Sequence, residues 1–162
     1  MGKVIPMRLS LVKMFVAGLV IASAALVAQA QTRPDLNGTW KMNPTQSRFA
    51  DPDAAPKDVV IRFEQRGQTL HETLTVVSAG GKSTVSLNYA LNGSVSINHV
   101  DDEEIRSTAS WSGDELVLAW SDKGGTFTRR FTFSDKGRRI TVNSHDTNPD
   151  GQTDDLFVFE KQ

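Results

Sequence analysis

From Val59 to Glu160 the chain keeps a rhythm of two: apolar residues alternate with polar ones in short runs. The runs are broken roughly every 8 to 12 residues by turn-forming residues, the pattern of a meandering antiparallel sheet. Val59, Ile61 and Phe63 alternate with Val60, Arg62 and Glu64, and Leu70, Leu74 and Val76 alternate with His71, Thr73 and Thr75. The breaks fall at Arg66-Gly67, Gly80-Gly81, Asn92-Gly93, Asp101 to Glu104, Ser112-Gly113-Asp114 and Asp135-Lys136-Gly137. Of these, Asn92-Gly93 is the strongest hairpin signal, because both residues tolerate the positive φ of a tight primed turn. It is expected to join the strand ending at Leu91 directly to the one starting at Val95.

With Gly38 to Met42 as a first strand and Asp155 to Glu160 as a last, about ten strands are expected and no helix long enough to cover a sheet. The fold class is therefore all-β, an antiparallel up-and-down β-barrel of about 8–10 strands, with a β-sandwich as the alternative. Closure would remove the exposed edges that invite aggregation. Asn43 to Lys57, with Pro44, Pro52 and Pro56, reads as a long loop carrying one helical turn near Thr45 to Phe49.

Residues 1–30 have a different composition. Lys3, Arg8 and Lys13 precede an apolar run from Met14 to Val27, and Ala28-Gln29-Ala30 supplies the small-x-small pattern of signal peptidase. The expectation is a signal peptide over 1–30 cleaved after Ala30, a barrel domain over 31–162, and a periplasmic or secreted location. The apolar run is short for a bilayer span of about 20 residues, so no stable membrane anchor is expected after cleavage. With no cysteine in the chain, neither a disulfide nor a lipidated thiol is available. Loss of Lys3, Arg8 and Lys13, with no Asp or Glu, takes the formal charge from -1 to -4. That balance disfavours nucleic acid and anionic membrane as partners.

The segment Gly38-Thr39-Trp40 follows a short entry stretch and resembles the opening signature of lipocalins and the wider calycin group. Gly38 to Pro44 with Ser47, Phe49 and Trp111, the turn Ser134-Asp135-Lys136-Gly137 and the ending Val158 to Gln162 are similar to a group of exported bacterial lipocalin-like proteins of unassigned function. The resemblance implies that Trp40 is a structural plug at one end of the barrel, with Arg129 or Arg130 packed on its ring. No Thr-Asp-Tyr, the second lipocalin signature, is present. Avidins share Gly-Thr-Trp, but Asn43 and Ser47 stand three and seven positions after Trp40 where avidins have two and six, which sets biotin aside.

Residues of one parity on a strand share a face. If the apolar parity points inward, it carries Phe63, Leu74, Leu87, Tyr89, Ile97, Ile105, Trp111, Leu118, Trp120, Phe127, Phe131 and Phe133. The same parity carries Glu72 and Arg129, and buried charges need partners. One reading pairs Glu72 with a neighbouring base and stacks Arg129 on Trp40. The other makes Tyr89, Trp111, Trp120, Arg129 and Glu72 a ligand-binding set for a small, largely apolar guest, acidic ones included. Ser107, Ala109 and Ser144 share the inward parity and are small enough to leave room beside them.

His71 and His145 fall on the outward parity and His99 at a strand end, so no shared metal site is expected from spacing. Asp146, Asn148 and Asp150 before Gly151 match the first half of a calcium loop, but Phe157 stands where the bidentate Glu belongs, so a polar hairpin turn is preferred there. No cofactor is expected, calcium being the weak candidate. No nucleophile context is present, and an enzyme, with Glu72 or His99 as general base, ranks below two other readings. The first is a binding protein for a small apolar molecule. The second is an envelope module whose filled barrel presents loops to a protein partner.

Overall fold

The computed structural model describes residues 33–162; the export signal expected over 1–30, with its cleavage point, lies outside them. Ten strands form one antiparallel meander: β1 (Gly38–Met42), β2 (Asp58–Arg66), β3 (Thr69–Ser78), β4 (Gly81–Ala90), β5 (Ser96–Val100), β6 (Glu103–Ser112), β7 (Glu115–Ser121), β8 (Thr126–Ser134), β9 (Arg139–Asn148) and β10 (Gly151–Lys161). The order in the sheet is β4-β3-β2-β1-β10-β9-β8-β7-β6-β5, so β1 and β10 are laddered neighbours and the sheet curls into a nearly closed barrel. The Asn43–Lys57 connection is a loop, as expected, with its one turn held by the Ser47 and Gln46 amides on the Asn43 carbonyl.

The seam of the barrel lies between β4 and β5, and here one expectation fails. Asn92-Gly93 does not close a hairpin: β4 and β5 are the two edges of the sheet and share no ladder. Side chains bridge them instead. Asn98 Oδ1 accepts from the Asn88 amide at 2.7 Å, its Nδ2 donates to the Asn88 carbonyl at 3.0 Å, and the Ser96 hydroxyl accepts from the Ala90 amide at 3.1 Å. Satisfying β4 this way requires Asn98 to point inward, where it also donates to the Ser107 hydroxyl at 2.8 Å. The parity of β5 is therefore the reverse of the expected one: Asn98 is buried and Ile97 is exposed. Buried backbone groups need partners more than one isoleucine needs cover.

Because successive strands reverse, the connections alternate between two ends. The near end carries the entry segment and the β2–β3, β4–β5, β6–β7 and β8–β9 turns; the far end carries the 43–57 loop and the remaining turns. One far-end connection is confined to glycine by close approach, since a Cβ on Gly125 would sit 2.1 Å from the Thr147 carbonyl oxygen.

The near half is filled. Leu36, Trp40, Phe63, Leu70, Tyr89, Leu116, Phe131 and Ile140 are buried there as one cluster, with Phe63 and Phe131 edge to face at 5.8 Å. Trp40, for which the resemblance implied a plug, is fully buried in this half and donates its indole N–H to the Leu36 carbonyl at 3.1 Å. The cation on its face is Lys161, at 5.1 Å, and not Arg129 or Arg130. The ladder explains the exchange: Trp40 faces Lys161 across β1–β10, while Arg130 lies on the outer wall against Glu115.

Candidate functional site

Arg129 and Glu72 are inward, as their parity predicts, and they meet each other. Strand β8 delivers Arg129, and β3 delivers Glu72 from the opposite wall, 57 residues away in sequence. The guanidinium forms a fork: Nη1 donates to Oε1 and Nη2 to Oε2, both at 2.8 Å. Tyr89 on β4 donates its hydroxyl to Oε2 at 3.0 Å. Side-chain exposure is 7% for Arg129 and 1% for Glu72, so water contributes little to either charge. Arg129 Nε has no hydrogen-bond partner among the described residues. Burial on its own would lower the Arg129 pKa, but the Glu72 carboxylate and Tyr89 outweigh it and raise it above the usual arginine value. Burial, and then the Glu72 charge, pushes the Tyr89 hydroxyl well above the ordinary tyrosine range, which keeps it a donor.

Trp120, from the end of β7, stacks on the guanidinium at 4.4 Å and on Phe127 at 5.1 Å. The Phe131 ring is 5.6 Å from the same guanidinium. Two cavities occupy the far half of the barrel and meet at Leu74, Trp120 and Arg129. One of about 170 Å³ is walled by Val59, Ile61, Val142, Phe157 and Phe159, with Ser144 and Asp146 as polar members beside Arg129. The other, of about 360 Å³, runs past Glu72 and Leu87 to Asp101, Glu103 and Asp122 at the rim. The ion pair thus forms a polar floor between a packed half and a hollow one. A third hollow, of about 460 Å³, lies on the outer wall beside Phe49, Arg130 and His145.

Four of the five expected ligand-binding residues, Glu72, Tyr89, Trp120 and Arg129, are brought together. Trp111 is not among them. It stands at the near end of β6, against Phe133 at 5.8 Å and beneath the Arg33 guanidinium at 5.2 Å, where it helps close that end. The β9–β10 ladder runs to Asn148 opposite Gly151, leaving a tight turn in which Asn148 Oδ1 accepts from the Asp150 amide. Asp146 lies further down β9 and turns into the small cavity, accepting from the Ser144 hydroxyl at 3.1 Å. Asp146 and the Asn148–Asp150 turn thus lie at different levels of this hairpin, and among the described residues no group of three His, Asp or Glu side chains is placed to share a metal. Inward parity, which placed Ser144, would have placed Asp146 as well.

Glu72 is poorly suited to act as a general base, since both its oxygens are taken by Arg129 and Tyr89. The histidines lie apart: His71 Nδ1 contacts Asn88 Oδ1 at 2.9 Å, His145 Nδ1 contacts Asp154 at 2.7 Å, and His99 is exposed opposite Glu104.

No protein-family model and no curated protein matches the sequence. Solved structures do match in shape. A secretory abundant heat soluble protein from Ramazzottius varieornatus has a TM-score of 0.61 at 12% identity, over 81% of this chain and 98% of its own. Zebrafish ileal bile acid-binding protein complexed with cholic acid gives 0.53 at 16% identity, over 78% and 98%. Fatty-acid-binding protein 1 of Echinococcus granulosus gives 0.51 at 14%, over 77% and 96%. The likeness is one of fold. These neighbours are calycin-type barrels, and the ten-stranded antiparallel architecture is theirs as well.

Proposed function

We propose that this chain is an exported binding protein that takes a small, largely apolar molecule into the far half of its barrel. The carrying observation is the pair of cavities that meet over Trp120 and the Arg129–Glu72 pair. An apolar wall with a few placed polar groups is the usual make-up of a small-molecule site. The neighbours named for bile acid and fatty acid binding support the same use of this fold. Export rests on Lys3, Arg8, Lys13, the apolar run to Val27 and Ala28-Gln29-Ala30; the mature protein would begin at Gln31. The rival reading, a filled barrel offering its 43–57 loop to a protein partner, is less well supported because only the near half is filled.

Native mass spectrometry of the gently purified protein, with tryptophan emission followed during titration with apolar compounds, tests the reading. A guest-sized mass adduct, or saturable quenching lost in Trp120→Phe, is expected. A protein that carries nothing, takes up nothing and keeps its emission unchanged would refute it.

A further inference from the structure

We propose that the guest is a small apolar monocation whose ammonium is held by Asp146; the proposal rests on the guest-binding reading above. Barrels of this shape invite the opposite expectation, an acidic guest on the inward arginine. In this chain the arginine has no free fork to offer. Nη1 and Nη2 of Arg129 are both committed to Glu72, and a guest carboxylate would have to displace a buried protein carboxylate that Tyr89 also holds.

Asp146 is in the reverse position. It lines the small cavity among Val59, Ile61, Phe157 and Phe159, its one polar contact among the described residues is the Ser144 hydroxyl, and it forms no ion pair there. The charges of Arg129 and His145 reach Asp146 and that of Asp155 opposes them, but Arg129 is committed to Glu72, so Asp146 remains a cavity carboxylate with no ion-pair partner among the described residues. A bound monocation would balance that charge, and a bound monoanion would add to it. Burial pushes the Asp146 carboxyl above its ordinary pKa, against the Ser144 hydrogen bond. The rim has the same sign: Asp101, Glu103 and Asp122 line the entrance of the larger cavity, with Lys123 as the counter-charge on Glu103 at 3.4 Å.

Three probes with the same tail decide the question: n-octylammonium, n-octanol and n-octanoate, titrated at neutral pH by calorimetry and tryptophan emission. The ammonium is expected to bind at least tenfold more tightly than either of the others. Asp146→Asn, which keeps the side chain's size, should bring its affinity down to that of octanol and leave octanol within about twofold. Asp154→Asn, on the outer wall, should leave the tenfold preference intact. Tightest binding of octanoate, or an ammonium preference that survives Asp146→Asn, overturns the proposal while octanol uptake keeps the guest-binding reading alive. Exclusion of all three probes from the wild type overturns both.

Discussion

Arg129→Met removes one charge of the buried pair while keeping a side chain of similar length. Glu72 would then keep a buried carboxylate served by the Tyr89 hydroxyl alone. At 1% side-chain exposure water cannot replace the guanidinium, and orphaning a charge in this way costs about 3–5 kcal/mol. In a domain of about 130 residues each kcal/mol moves the melting midpoint by roughly 3–5 °C, so a fall of about 10–20 °C is expected. Glu72→Leu alone should be comparably harmful, since it strands the guanidinium. The double variant Glu72→Leu/Arg129→Met should recover to within about 2 kcal/mol of wild type, because most of the cost lies in the uncompensated charge and little in the lost attraction. The residual loss includes the Tyr89 hydroxyl left without its acceptor, about 1 kcal/mol or somewhat more. Urea unfolding followed by far-ultraviolet circular dichroism is the assay. Tryptophan emission is unsuitable, since Trp120 lies on Arg129 and reports the local change. A loss below about 1 kcal/mol for Arg129→Met, or a double variant no more stable than the singles, would refute the buried-pair account.

Two further outcomes are expected. Asn98→Leu deprives the Asn88 amide of its acceptor at the β4–β5 seam and should cost about 1–3 kcal/mol, with faster hydrogen exchange at Asn88 than at the laddered amides of β8 and β9; unchanged exchange there would contradict the side-chain seam. Asp146 has a raised folded-state pKa, from burial first and the Asp155 charge second, against the Ser144 hydrogen bond and the charges of Arg129 and His145. Its contribution to stability is therefore fully present below the unfolded carboxyl pKa and is lost as pH rises through the folded value. Melting of wild type and Asp146→Asn across the acid range should show the variant gaining relative to wild type as pH rises from about 3 to neutrality, and a gap that does not widen would count against this reading.

Much of the architecture was legible because a strand's side chains alternate strictly. Burial on one face fixes which residues point inward, and that rule places Tyr89, Arg129 and even the charged Glu72 in the interior, with Trp120 packed against the core. Turn chemistry located most connections for the same local reason. Where a local signal competed with the sheet as a whole, it lost. Asn92-Gly93 can form a tight turn, yet the two strands it joins are the ends of the sheet, and closing the ring set their separation.

Which inward groups meet was decided by register around the barrel, a quantity that no short window of sequence contains. Trp40 met Lys161 because β1 lies beside β10, and Arg129 met Glu72 because β3 and β8 face each other across the interior. Trp111 shares the inward parity of Trp120 but stands at the plugged end, since parity gives a residue's face and not its depth. The sequence by itself determined an all-β chain with the opposite charges Glu72 and Arg129 among its inward side chains. The tertiary structure decided that those two charges meet, while Asp146 lines a cavity with no ion-pair partner among the described residues, because ion pairing depends on distances across the barrel that only its closure sets.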